Sequence, residues 1–70
     1  DREQAIAAYR IAAAQNLPEA KLNLGVLLMN RLDNDSLREA KELLNDVAQG
    51  DRSDLAAIAQ ENIEILEKKI

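Results

Sequence analysis

The chain contains no cysteine, no histidine, no tryptophan and no phenylalanine, and Tyr9 is its only aromatic residue. Without cysteine there is neither a disulfide nor a thiolate metal site to consider, and the redox compartment stays open. Without histidine, the usual base that would activate a serine nucleophile is missing. Clustered positive charge is missing too. Nine Lys and Arg are scattered among thirteen Asp and Glu, for a formal net charge of −4, which argues against nucleic acid or an anionic membrane surface as a partner. No apolar run is long enough to span a bilayer, and no signal or transit segment is recognisable, so direct membrane insertion is not expected. The chain lacks an initiating methionine and opens on Asp1-Arg2-Glu3-Gln4, which already reads as helix. The expectation is a piece of a longer protein, or a mature product.

What is present is helical patterning. Seventy residues allow one small domain of marginal stability. Alternating, strand-like periodicity is absent throughout, so the expected fold class is all-α. Over about residues 3–15, Ala5, Ala8, Tyr9, Ala12 and Ala13 recur at three- and four-residue steps, and alanine is the best helix former. Their mostly alanine face predicts close packing against the next helix. Asn16 suits the left-handed end of this helix and, with Glu19 three residues on, a capping box for the next. Pro18 fits a first-turn position, where its missing donor costs nothing.

The second helix, about 18–31, is apolar on two opposite sides. At 100° per residue, Ala20, Leu24, Leu27 and Leu28 share one face, and Leu22, Val26 and Met29 the reverse. Such a helix must be sandwiched between others, and Gly25, lying between the two stripes, lets a neighbour approach closely. The cluster Asp33-Asn34-Asp35-Ser36 then breaks the pattern, with Ser36 and Glu39 as a second capping box. A third helix, about 36–49, carries Leu37, Ala40, Leu43, Leu44, Val47 and Ala48 on one face, opposite Arg38, Glu42, Asp46 and Gln49, and Gly50 is its expected terminator. Asp51 or Ser53 caps a fourth, about 53–69, with Leu55, Ala59, Ile63, Leu66 and Ile70 along one side. Ile58 and Ile65 lie off that stripe and are expected to cover the flank of the third helix. Glu61, Glu64 and Glu67 face water, and Lys68 and Lys69 sit at the negative end of the helix dipole. The short turns make successive helices antiparallel neighbours.

The first and third helices share a layout, with Ala5 on Ala40, Tyr9 on Leu44 and Ala12 on Val47, each pair 35 positions apart. That offset is near the period of helix-turn-helix solenoids. At these residues the chain resembles the tetratricopeptide repeat superfamily. Its Leu-Gly pair and following large residue are matched by Leu24, Gly25 and Leu28, and its small–large–small second helix by Ala40, Leu44 and Val47. The distance from Gly25 to Ala40 is longer than the usual unit, and Lys21 stands at the family's early aromatic position. These departures point to the Sel-one-like branch, whose signature is similar to Ala5, Ala8-Tyr9, Ala12-Ala13, Asn16, Ala20 and Leu24-Gly25, although one aromatic is alanine and the turn glycine is asparagine. The resemblance covers about residues 4–51. It implies one repeat domain over 1–70, an α-solenoid fragment of antiparallel hairpins. Residues 1–16 are then the second helix of an incomplete unit, 17–51 a full unit and 52–70 a terminal helix.

No residue constellation supports catalysis, and no cofactor or metal is expected. Ser36 and Ser53 stand where helices begin and read as caps. Asp33-Asn34-Asp35 lacks the glycine and the spaced glutamate of a calcium loop, and Glu61 with Glu64 lies on a solvated face. The resemblance implies that the first helix of a unit lines a concave groove, whose positions here are Glu19, Leu22, Val26, Met29 and Asn30, with Asn23 beside them. Leu22, Val26 and Met29 would offer an apolar strip to a partner helix or extended peptide, unless the first or fourth helix covers it within the domain. Basic residues for capturing an acidic chain terminus are not placed there. The expected function is a non-catalytic protein–protein interaction module, a scaffold for a larger assembly. The alternatives are a structural capping or self-association segment, with the face of the first helix docking a second copy, and a regulatory part of an enzyme.

Overall fold

A computed structural model describes residues 2–69, which form four helices: α1 (Arg2–Ala14), α2 (Pro18–Met29), α3 (Asn34–Ala48) and α4 (Ser53–Glu67). Among the described residues there is no strand, and the all-α arrangement of antiparallel hairpins expected from the sequence is the one observed. The helices make a slab of 29 × 28 × 16 Å in which α2 packs against all three others. α3 packs on α2 and α4, while α1 packs on α2 alone.

The sandwiching of α2 follows from its doubly apolar surface. Leu24 and Leu28 are buried on one side and Leu22 and Met29 on the other, and one core cluster joins them to Ile6, Leu37, Ala40, Leu44, Leu55 and Leu66. Gly25 sets the approach of α3: a methyl group built there would lie 3.0 Å from Leu44 Cγ and 3.5 Å from the Ala40 carbonyl oxygen. A β-carbon here would require the Leu44 side chain to give way by a few tenths of an ångström.

The buried face of α1 is turned from its expected setting. Ile6 is the residue inserted into the core, with Tyr9 and Ala13 packed beside it, whereas Ala8 is exposed and Ala5 and Ala12 are half-buried. The larger side chain wins the interior because burying it removes more apolar area from water than burying a methyl does.

Both expected capping boxes are replaced by other contacts. Asn16 does adopt the left-handed conformation, with φ 65°, but its side chain accepts a hydrogen bond from Lys21 Nζ and does not cap α2. Leu17 holds the N-cap position without a side-chain bond, and Glu19 turns toward Arg52, 3.8 Å away. α3 starts two residues before its expected beginning because Asp33, not Ser36, is its cap. Asp33 Oδ1 accepts from the Ser36 amide at 2.8 Å and Oδ2 from the Ser36 hydroxyl at 2.9 Å. Glu39, freed from that role, accepts from Arg10 on α1.

α2 ends at Met29 and not at residue 31. The Asn30 and Arg31 amides bond to the Leu27 and Leu28 carbonyls, tightening the last turn, and Leu32 then takes φ 63°. Gly50 follows the end of α3 as expected but has no left-handed φ. Arg52, not Asp51 or Ser53, occupies the N-cap position of α4, and it pairs with Asp54 in the first turn at 3.2 Å. Leu55, Ala59, Ile63 and Leu66 are buried as patterned, and Ile70 lies outside the described residues. α1 and α4 each stop short of the expected boundary, at Ala14 and Glu67.

Candidate functional site

The six candidate groove residues lie along one side of α2, but they do not form an open apolar strip. Leu22 is only 7% exposed and Met29 5%. The strip is closed within the domain, as one of the alternatives read from the sequence had it. Val26 is half-buried, and Glu19, Asn23 and Asn30 are exposed.

What α2 offers to solvent is a narrow polar edge running from Glu19 through Asn23 to Asn30, with Val26 and Leu27 as its shoulders. Asn30 is partly committed, since its Nδ2 donates to the Val26 carbonyl at 3.3 Å. The edge is flanked at one end by Arg52, which bridges Glu19 and Asp54. The hydrogen bond to Asp54, more than any other cause, raises the Arg52 guanidinium above its ordinary range, and the same bond lowers the Asp54 carboxyl.

Large apolar side chains do reach solvent, but on other elements: Ile11 of α1, Leu17 and Leu32 of the turns, and Ile58 and Ile65 of α4. Ile58 and Ile65, expected over the flank of α3, are 44% and 49% exposed. Their sequence spacing of seven residues, two helical turns, would have placed them together on one open edge had the stripe through Leu55, Ala59, Ile63 and Leu66 been taken as sufficient to hold α4.

A cavity of about 370 Å³ opens where α2 begins and α3 ends, lined in part by Pro18, Lys21, Asp46, Val47 and Arg52. Within it Lys21 Nζ lies 3.8 Å from Asp46 and bonds to Asn16. The Ser36 hydroxyl donates to Asp33, inside the first turn of α3, and Ser53 begins α4. Among the described residues no group of acidic side chains is arranged to hold a metal ion, and no helix is long and apolar enough to cross a membrane. Compared with models of known protein families, with curated proteins and with solved structures, the chain matches none.

Proposed function

We propose that this chain is a non-catalytic protein-interaction module, a fragment of an α-solenoid of the tetratricopeptide or Sel-one-like kind, which presents the free edge of α2 to a protein partner. The observation that carries this reading is the position of α2. It is held by three neighbouring helices and still leaves Glu19, Asn23 and Asn30 in solvent. A rigid, fully supported helix with one open edge recognises a partner at little cost in ordering. The repeat offset between α1 and α3 and the Leu24-Gly25 pair beneath Leu44 support the solenoid part of the reading.

Because Met29 is buried, its replacement by a charge would damage the fold and test nothing about binding. The informative variant is Asn23→Lys with Val26→Ala. Calorimetric titration of candidate partners should lose about tenfold in affinity. Unchanged affinity with intact helical circular dichroism would remove the α2 edge from consideration.

The second reading, self-association, is favoured by α1. Its outer strip of Gln4, Ala7, Ala8 and Ile11 is exposed and uncharged, a surface another helix could meet without desolvating charge. Sedimentation at several concentrations separates the two readings, because a chain that stays monomeric throughout has no use for that strip in pairing.

A further inference from the structure

α1 is the most lightly seated of the four helices, and a charge pattern fixes its seat. By the offset of 35 positions, α1 stands to α2 as α3 stands to α4. α3 is held between two helices through Leu37, Ala40, Leu44 and Val47, whereas α1 packs on α2 alone and Ile6 is its one buried residue among those described. Tyr9 and Ala13 add partly buried contact. Two ion pairs complete the seat. Glu3 accepts from Arg31 at 3.0 Å, and Glu39 of α3 accepts from both terminal nitrogens of Arg10. The seat therefore takes a helix carrying an acid, then a base two turns later, with an isoleucine between them. The α1 of another molecule satisfies it residue for residue.

The joint that keeps α1 on its own body is short. Gln15, Asn16 and Leu17 separate Ala14 from Pro18, and Asn16 turns the chain at φ 65°. Leu17 is extended before Pro18, at φ −85° and ψ 118°, and the proline forbids joining α1 and α2 as one continuous rod. Opened at Asn16, the joint becomes a strap that reaches on the order of 10 Å. Two bodies linked through such straps must lie side by side.

We infer that two copies of the chain exchange α1, each seating its first helix on the α2 of the other. Every contact of the closed form is remade between molecules, so exchange costs only the entropy of association and the new course of three residues. The closed form wins in dilute solution, because so short a joint gives α1 an effective concentration on the order of mM at its own seat. Near that concentration, and above all on refolding there from urea, the exchanged dimer forms. This deepens the self-association reading and gives it a different route, since the outer strip of Ala7, Ala8 and Ile11 is not used. The α2 edge at Glu19, Asn23 and Asn30 stays in solvent in either form.

The test places Arg10→Glu and Glu39→Arg in separate full-length chains, at side chains that both reach solvent. In either variant alone, closed or self-exchanged, like charges face each other. In a mixed exchanged dimer, one seat joins the two substituted side chains as a new ion pair, and the other rejoins the native Arg10 with the native Glu39. Sedimentation of the mixture, refolded from urea at about 1 mM, should show a heterodimer about tenfold tighter than either self-pair. Glu3→Arg and Arg31→Glu should repeat the result at the other end of α1. Helical circular dichroism checks each variant, and where one set loses helicity the other carries the test. No preferred heterodimer overturns the exchange. Ile11→Ser in both chains should leave the heterodimer unchanged. A dimer that Ile11→Ser dissolves assigns the pairing to the outer strip, which upholds self-association and overturns exchange. A chain that stays monomeric after refolding at that concentration overturns both.

Discussion

Gly25 lies directly beneath the side chain of Leu44, so close that a β-carbon at position 25 would come within 3.0 Å of Leu44 Cγ. The two residues therefore behave as one packing unit. Gly25→Ala gains about 1 kcal/mol of helix propensity, yet overpacking against a buried side chain costs about 1–3 kcal/mol. We expect a net loss in urea or thermal unfolding. Its sign should reverse in a Leu44→Ala background, where the obstructing atoms are gone and only the propensity gain remains. Additive effects of the two substitutions would show that α3 does not sit on Gly25.

Leu24 and Leu44 are both fully enclosed. Either one changed to alanine should cost roughly 2–5 kcal/mol, a large share of the stability of so small a domain. Ile58→Ser, at an exposed site, should change stability by less than about 0.5 kcal/mol. A loss below that same level at both leucines would contradict the packing described.

Leu32 is 63% exposed and has φ 63°, a conformation that costs an L-residue with a side chain roughly 1–2 kcal/mol. Leu32→Gly should raise the free energy of unfolding by about 0.5–1 kcal/mol after the greater entropy of glycine in the unfolded chain is subtracted, read in urea unfolding. Asn16, at φ 65°, is a residue type that tolerates this region, so Asn16→Gly should gain less.

The Asp33 carboxyl is held below its ordinary value, first by the backbone hydrogen bond from Ser36 and then by the Ser36 hydroxyl. Folding therefore favours its charged form. The stability it contributes is complete above the ordinary carboxylate range, near pH 4, and fades as pH falls through the lowered folded value. Asp33→Asn keeps an acceptor for the Ser36 amide but removes this titration, so its Tm should fall less steeply with acid than that of the parent. The remaining slope belongs in part to Asp54, whose carboxyl is lowered by Arg52.

The existence and kind of all four helices were legible in the sequence, because their apolar residues repeat at helical steps and that periodicity survives into packing at Leu37, Ala40, Leu44 and Val47. The turns were less legible. Asp33 and Ser36 both suit an N-cap, and only the path of the chain after Leu32 decides between them. Of the candidate groove residues Leu22 and Met29 are buried, and the sequence left open whether the domain itself covers them. Leu22 and Met29 look free on a helical projection, which shows direction but not what packs against it. Ile6 was passed over for the alanines around it, since periodicity fits either stripe of α1 and only relative bulk distinguishes them.

α1 is joined to the remainder through α2, with the Arg10–Glu39 and Glu3–Arg31 pairs as surface fastenings. Its tenure is thus separable from that of the three-helix body: it can detach as a unit while Leu24, Leu44 and Leu66 stay shielded. Amide exchange should find it the earliest segment to lose protection, well before the whole chain unfolds. Such a hinged first helix would uncover the side of α2 that it packs on, leaving it for another helix to occupy.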